Sequence, residues 1–289
     1  MKPTIVFQTD FGAGGGGAMA GVVKSVDPEL GVYDFFHDIE PYNIRQAAYQ
    51  LSTVVPFWPA GTVFVSVVDP GVGTSRRGSV ARLANGSYVV TPDNGTLTMV
   101  ADDIVEIREI DQSINRLPGS EDVHIFNGRD VFAYTAARLA AGIIDFSGVG
   151  PAYPVGEVVR IRLTNVSPQL GDGWAEGGAY DFDVPYGSAR INVRNRDFQQ
   201  VAGFAYGDLV RARVTDGART VFDGLARYAR TFGDVEEGLA TLVGDIQPGE
   251  RQMLRFNTIN FIREHAPELG RDQSLAVDWC FRFERASTK

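Results

Sequence analysis

Three observations predict an α/β protein: an N-terminal doubly wound, mostly parallel sheet domain followed by a smaller C-terminal β-barrel domain. Short apolar runs alternate with helical patterns through roughly residue 155, as in layered α/β folds. One run, Thr62-Val63-Phe64-Val65-Ser66-Val67-Val68, is continuously apolar, the signature of a strand buried on both faces of a parallel sheet. From Gly177 onward the helical patterns give way to short strand candidates separated by turn dipeptides. The expected boundaries are an α/β domain over 1–166, a linker over 167–178 that is polar and rich in glycine, and a barrel-like domain over 179–289.

In order, Thr4 to Gln8 reads as a strand ending at Thr9-Asp10, and Ala18 to Val26 as a helix stopped by Asp27-Pro28. Val32 to Phe36 is a second strand, with His37-Asp38-Ile39-Glu40-Pro41 at its end. A helix follows from about Ile44 to Val54, with Ile44, Ala47, Ala48 and Leu51 on one face. After the central strand come Ser87 to Val90, a turn at Pro92-Asp93-Asn94-Gly95, a helix from about Thr96, and strands at Val105–Glu109 and Val123–Phe126. Val131 to Ala141 is helical and ends at Gly142. In the second domain Ala189–Val193, Leu209–Val214 and Ala276–Phe283 read as strands, broken by Tyr186-Gly187, Asp216-Gly217 and Pro248-Gly249.

Composition narrows the function. With 27 Lys and Arg against 36 Asp and Glu, the formal net charge of −9 disfavours polyanions, so no nucleic-acid partner is expected. A cationic small ligand meets no such penalty. The single cysteine, Cys280, excludes an intrachain disulfide and lies among apolar neighbours, so it reads as packing rather than as a nucleophile. No metal motif is present, no 18-residue apolar stretch suggests a membrane span, and no leader pattern precedes the first strand; a cytoplasmic protein is expected.

The chemistry centres on Asp69. The central strand stops there because Pro70 cannot donate to a ladder and Gly71 and Gly73 permit a reversal. A carboxylate thus stands at the carboxyl end of a core strand, where open α/β sheets hold their ligands. Seven residues on, Arg76 can fold back to meet it and hold a small polar molecule such as water in one orientation. The plainer alternative is a turn cap with Arg76 and Arg77 solvated.

Gly12 to Gly17 satisfies the G-x-G-x-x-G pattern after a strand and before a helix, with Asp34 near the place of a ribose-binding acid. Asp10 just ahead of the glycines would oppose a pyrophosphate, so the dinucleotide reading is set aside. A carboxylate at Asp10 suits a ribose cis-diol, or loop bracing. His37 reads as loop bracing in preference to ligand contact, Arg129 and Asp130 as a structural pair at a helix start, and Asp93-Asn94 as turn chemistry.

Thr9-Asp10-Phe11-Gly12, His37-Asp38-Ile39-Glu40-Pro41, the Asp69–Arg77 loop, Pro92-Asp93-Asn94-Gly95 and Phe126-Asn127-Gly128-Arg129-Asp130, in that order, resemble the family of S-adenosylmethionine hydroxide adenosyltransferases, relatives of fluorinating and chlorinating enzymes. Asp183-Val184-Pro185-Tyr186-Gly187-Ser188-Ala189-Arg190-Ile191-Asn192 is a weaker echo of the family's adenine-facing segment. The resemblance implies an α/β domain, a C-terminal barrel and a homotrimer with sites between subunits. The implied reaction is displacement of methionine from C5′ of S-adenosylmethionine by water, giving adenosine with no cofactor. By position it implies that Asp69, Arg76 and Asn127 orient the water and that Asp10 binds the ribose. It also implies that Tyr42, Phe126 and Gly128 lie near the sugar or the reacting carbon, and that Asp183, Tyr186 and Ser188 form the base-facing segment. Asn127 stands where hydrolases carry His; its amide orients water but takes no proton. On a strand, His124 would share a face with Phe126 and Gly128, opposite Asn127. Gly14 to Gly17 replace polar residues near the methionine moiety, and Gln247–His265 departs from the family's final binding segment. The alternatives are a non-catalytic binder of an adenosyl ligand and a halogenase, the latter opposed by the charge of Asp69 although Gly128 leaves room for a halide.

Overall fold

The computed structural model describes all residues except 1, 13, 184–185, 247–250, 259–266, 271–275 and 287–289. The chain divides into two compact units, residues 1–161 and 162–289.

The first unit is built on a seven-stranded sheet of order β2-β1-β3-β5-β4-β6-β7. Its strands are β1 (Thr4–Thr9), β2 (Gly31–Phe36), β3 (Val63–Val67), β4 (Gly78–Leu83), β5 (Tyr88–Pro92), β6 (Ile104–Glu109) and β7 (Ala152–Tyr153). β2, β1, β3 and β5 run parallel, whereas β5, β4, β6 and β7 pair antiparallel, so the sheet is mixed. Strand periodicity explains the two layers that cover it. Ile5, Phe7, Val65 and Val67 pack with Met19 and Val23 of helix α1 (Gly16–Val26) and with Val131 and Phe132. Val6 and Phe64 face the other way, toward Leu51 of helix α2 (Ile44–Val54) and Val55. Every residue of β3 is buried, as its unbroken apolar sequence requires.

Helix α2 begins where Asn43 accepts the Gln46 amide in a side-chain cap. The helix after Phe126 opens as a π-helical segment, Gly128–Ala133, and continues as α3 (Tyr134–Ala140), with Gly142 beyond its end at φ +70°. Two expected elements do not form. Residues 96–103 make turns and a 3₁₀ turn at Ala101–Asp103, because Asn94 Oδ1 takes the Thr96 amide and hydroxyl and Thr98 Oγ1 bonds Gly95 O. Those local bonds satisfy groups that an α-helix would otherwise use. Val123–Phe126 is not a strand: it pairs with no neighbour, and Ile125 is 79% exposed.

In the second unit seven strands close into a barrel through the order β9-β10-β14-β13-β12-β11-β15, with β15 pairing back to β9. They are β9 (Trp174–Asp183), β10 (Ser188–Arg194), β11 (Leu209–Thr215), β12 (Thr220–Tyr228), β13 (Ala240–Gly244), β14 (Met253–Asn257) and β15 (Cys280–Arg285). β8 (Gln169–Gly171) adds to β9 from outside the ring. The residues expected to form a linker, 167–178, therefore carry β8 and the first half of β9. Phe256, Phe281 and Phe283, together with Phe198 of the short helix α4 (Asn195–Gln200), fill the interior. Gly187 and Gly217 adopt φ of +65° and +87° at two of the expected turns; Pro248-Gly249 lies outside the described residues.

Candidate active site

Asp69 follows β3 and Arg76 returns to it. Arg76 Nε lies 2.9 Å from Asp69 Oδ1 and 3.1 Å from Oδ2, and Nη2 also donates to Oδ2. The two side chains are 5% and 12% exposed, so the pair is held largely out of water. Several local bonds make the turn that joins them. Thr74 N–H and Oγ1 both donate to Gly71 O, at 3.1 and 2.7 Å, and Gly73 takes φ +78°. Asn94 Nδ2 donates to Val68 O at 2.8 Å, which fixes the backbone immediately before Asp69. The Arg76 guanidinium lies over the Phe132 ring, 5.2 Å from its centroid.

Asn127 is buried at the start of the π-helical segment that carries Phe132. Its Oδ1 accepts from Arg116 Nη2 at 3.1 Å, and no hydrogen bond joins it to Asp69 or Arg76. Its amide nitrogen is left to donate to a water, while Oδ1 already accepts from a guanidinium, and neither group takes up a proton. A Cβ on Gly128 would lie 3.0 Å from the Phe11 ring and 3.5 Å from Val67, so the space that Gly128 leaves is taken by Phe11. Phe126 stands beside Phe11 with ring centroids 6.3 Å apart, while Arg129 and Asp130 form the expected pair. His124 backs onto the Asp69–Arg76 turn: a Cβ on Gly73 would sit 3.4 Å from its carbonyl oxygen. Because 123–126 is not a strand, the strand-face argument against His124 does not apply.

Asp10 follows β1. Its Oδ2 accepts the Tyr42 amide at 2.9 Å, and Tyr42 takes φ +68°, the single non-glycine residue with positive φ among those described. The turn after Asp10 is anchored at Thr9 Oγ1, which accepts the Phe11 amide at 3.1 Å, and at His37 O, which accepts the Gly12 amide at 2.9 Å. Two glycines of the run, Gly15 and Gly16, serve close packing of this turn, whereas a Cβ on Gly14 or Gly17 would meet nothing within 4 Å. A Cβ on Gly15 would fall 2.1 Å from Phe11 Cβ, and one on Gly16 would fall 2.5 Å from His37 Nε2.

In the second unit Asp183 ends β9 and accepts from Arg190 Nη2 at 3.0 Å and Arg255 Nη2 at 2.6 Å. Arg190, only 5% exposed, also faces Asp181 and Asp245. Ser188, directly opposite Asp183 across the strand pair, is fully buried, and its hydroxyl has no hydrogen-bond partner among the described residues. Tyr186 is 72% exposed. Among the described residues no group of three or more His, Cys, Asp or Glu converges as a metal site, and no helix is long and apolar enough to cross a membrane.

Sequence reasoning missed Arg116, Asn94 as the brace behind Asp69, and the bonds of His37 to Thr9 and Asp34. An Asx-turn signal at Asn94 was readable; the other partners depend on loop paths with no local signature.

A parallel strand ending in a buried carboxylate–guanidinium pair, in a two-unit α/β and barrel chain, puts that pair at the carboxyl edge of the sheet, where open α/β folds place their ligands. Residues 5–150 match the SAM hydroxide adenosyltransferase N-terminal domain, and the chain belongs to that family. It is 36% identical over 249 residues to the (R)-S-adenosyl-L-methionine hydrolase of Thermus thermophilus, covering 82% of this chain and 86% of that protein. A second hydrolase of that name, from Salinispora tropica, is 38% identical over 170 residues; the match covers 58% of this chain and 64% of that relative, less than two thirds of its length. The crystal structure of an uncharacterized conserved protein from Thermotoga maritima superposes with a TM-score of 0.78 at 29% identity, covering 98% of this chain and 100% of that one.

Proposed function

We propose that the protein hydrolyses S-adenosyl-L-methionine at C5′, releasing adenosine and L-methionine. The observation that carries this reading is the Asp69–Arg76 clamp at the end of β3. Arg76 fixes the carboxylate, and Asp69 accepts a hydrogen bond from the attacking water while Asn127 donates one to it. The sulfonium departs as a neutral thioether, so the leaving group needs no acid. Placement of the water can supply ~7–11 kcal/mol of the barrier, against a factor of about 10²–10⁴ for a general base. Loss of the family's usual His therefore slows the reaction without abolishing it.

Asp10 takes the ribose diol, with Tyr42, Phe126 and Gly128 around the sugar. Tyr186 stacks on the base, and Ser188, whose buried hydroxyl has no partner among the described residues, bonds it; Asp183 holds the segment through Arg190. A homotrimer with sites between subunits, a cytoplasmic location, and the absence of any cofactor or nucleic-acid partner belong to the same proposal. Two features oppose halide as the nucleophile. A carboxylate ~4 Å from a halide costs about 4 kcal/mol at an effective dielectric near 20, and Phe11 fills the space beside Gly128. The engagement of Asn127 by Arg116 favours one second reading, a non-catalytic adenosyl binder. Chromatographic assay of adenosine from S-adenosylmethionine, paired with calorimetry, separates the two. Wild-type turnover that disappears in Asp69→Ala supports the hydrolase; tight binding without adenosine supports the binder; equal turnover by the variant rejects the role of Asp69.

A further inference from the structure

Thr9, His37 and Asp34 form a hydrogen-bonded chain that the reaction above does not use. Thr9 Oγ1 lies 2.8 Å from His37 Nδ1, and His37 Nε2 lies 3.0 Å from Asp34 Oδ1. Thr9 is fully buried, while the Asp34 side chain is 54% exposed, so the chain runs from the end of β1 out to solvent. Both anchors of the turn that carries Asp10 lead to His37: the Phe11 amide through Thr9 Oγ1, and the Gly12 amide through His37 O. One proton arrangement satisfies every group. Thr9 Oγ1 accepts from Phe11 and donates to a neutral Nδ1, and Nε2–H donates to the Asp34 carboxylate. The opposite arrangement leaves the buried Thr9 hydroxyl hydrogen without an acceptor among the described residues. Gly16 is what admits the ring, since any Cβ there would overlap Nε2.

We infer that His37, oriented by Asp34, is a positioning residue that sets Asp10 for the ribose diol by locking the Thr9–Gly12 turn. The inference rests on the hydrolase reading for the ligand of Asp10.

The test uses the full chain with Thr9→Val, Thr9→Ser, His37→Leu and His37→Asn, the last keeping an acceptor near the Nδ1 position. Adenosine affinity is measured by calorimetry, and KM and kcat with S-adenosylmethionine. Loss of the relay should raise adenosine Kd and KM about tenfold in Thr9→Val and His37→Leu. Thr9→Ser should stay near wild type and His37→Asn should recover most of the loss, with kcat changing much less than KM. Imidazole ¹⁵N shifts of the unliganded wild type should report the Nε2-protonated tautomer. Variants that melt earlier but keep KM and Kd within twofold of wild type would reduce His37 to a fold element and overturn the inference, as would an Nδ1-protonated ring. Wild type that binds adenosine but forms none from S-adenosylmethionine would remove the hydrolase reading, and the adenosine affinities would still decide the role of His37. Wild type that binds no adenosine overturns both.

Discussion

Arg76 meets Asp69 edge-on, with Nε reaching both carboxylate oxygens, at 2.9 and 3.1 Å, and Nη2 joining at Oδ2. This contact uses the planar fork of a guanidinium, which an ammonium cannot reproduce. Arg76→Lys keeps the charge and loses the geometry, so adenosine release should fall by about 10²-fold through misplacement of the carboxylate and its water. Steady-state assay of the variant checks this, and a rate within a factor of two of wild type contradicts it.

Asn127→His places a base where the amide now takes no proton. A gain of about 10²–10⁴-fold in kcat is the general-base contribution to look for. The rate should rise with pH as the imidazole loses its proton and becomes the base. The Arg116 guanidinium, 3.1 Å from the present amide oxygen, disfavours imidazolium. The limb should therefore fall below the ordinary histidine value of about 6.5. A pH–kcat profile with no new limb would separate Asn127 from the proton transfer.

Gly16→Ala tests the packing of the glycine run. Alanine normally favours a helix over glycine by ~1 kcal/mol. Here its Cβ would sit 2.5 Å from His37 Nε2 and 2.7 Å from Asp34 Oδ1, both held by their mutual bond. The clash should win, with a net loss of about 1–3 kcal/mol, read as a lower Tm by calorimetry. A variant more stable than wild type would show that this turn has slack.

Arg190→Met removes the cation buried among Asp181, Asp183 and Asp245 and leaves Arg255 beside Asp183 and Asp245. Breaking a buried pair from one side typically costs about 3–5 kcal/mol. Urea unfolding followed by tryptophan fluorescence, to which Trp58, Trp174 and the buried Trp279 of the barrel core all contribute, should show the loss as an earlier midpoint. An unmoved midpoint would mean that Arg255 holds the carboxylates without Arg190.

Burial, followed by the nearby Glu176 carboxylate, pushes the Cys280 thiol up to about 11. At pH 8 only about a thousandth of it is thiolate, so alkylation of the folded protein should be slow and should accelerate tenfold per pH unit toward 11. Rapid labelling at pH 7 would place Cys280 in a far more open setting.

Much of the first unit was legible because burial wrote it into the periodicity. The helix Ile44–Val54 was readable from its apolar face, Ile44, Ala47, Ala48 and Leu51, and β3 from its unbroken apolar run. β4 was not: Gly78 begins it, Arg82 interrupts it, and its antiparallel pairing with β5 and β6 leaves no helix before it to mark the start. Val123–Phe126 has strand composition but no partner strand, a fact that lies outside any local window. At the site, Asp69 and Arg76 were readable because one short turn joins them. The hold of Arg116 on Asn127 spans a loop of turns, and the Thr9–His37–Asp34 chain joins two parallel strands whose pairing only the fold reveals.

Tyr42 combines a left-handed backbone with 70% exposure of the residue to water. A left-handed conformer costs an ordinary residue roughly 1–2 kcal/mol, and glycine escapes most of that cost. The exposed ring recovers little of it by packing. A molecule tuned only for its own folding would carry glycine or asparagine at this position, so folding energetics do not account for the tyrosine beside Asp10.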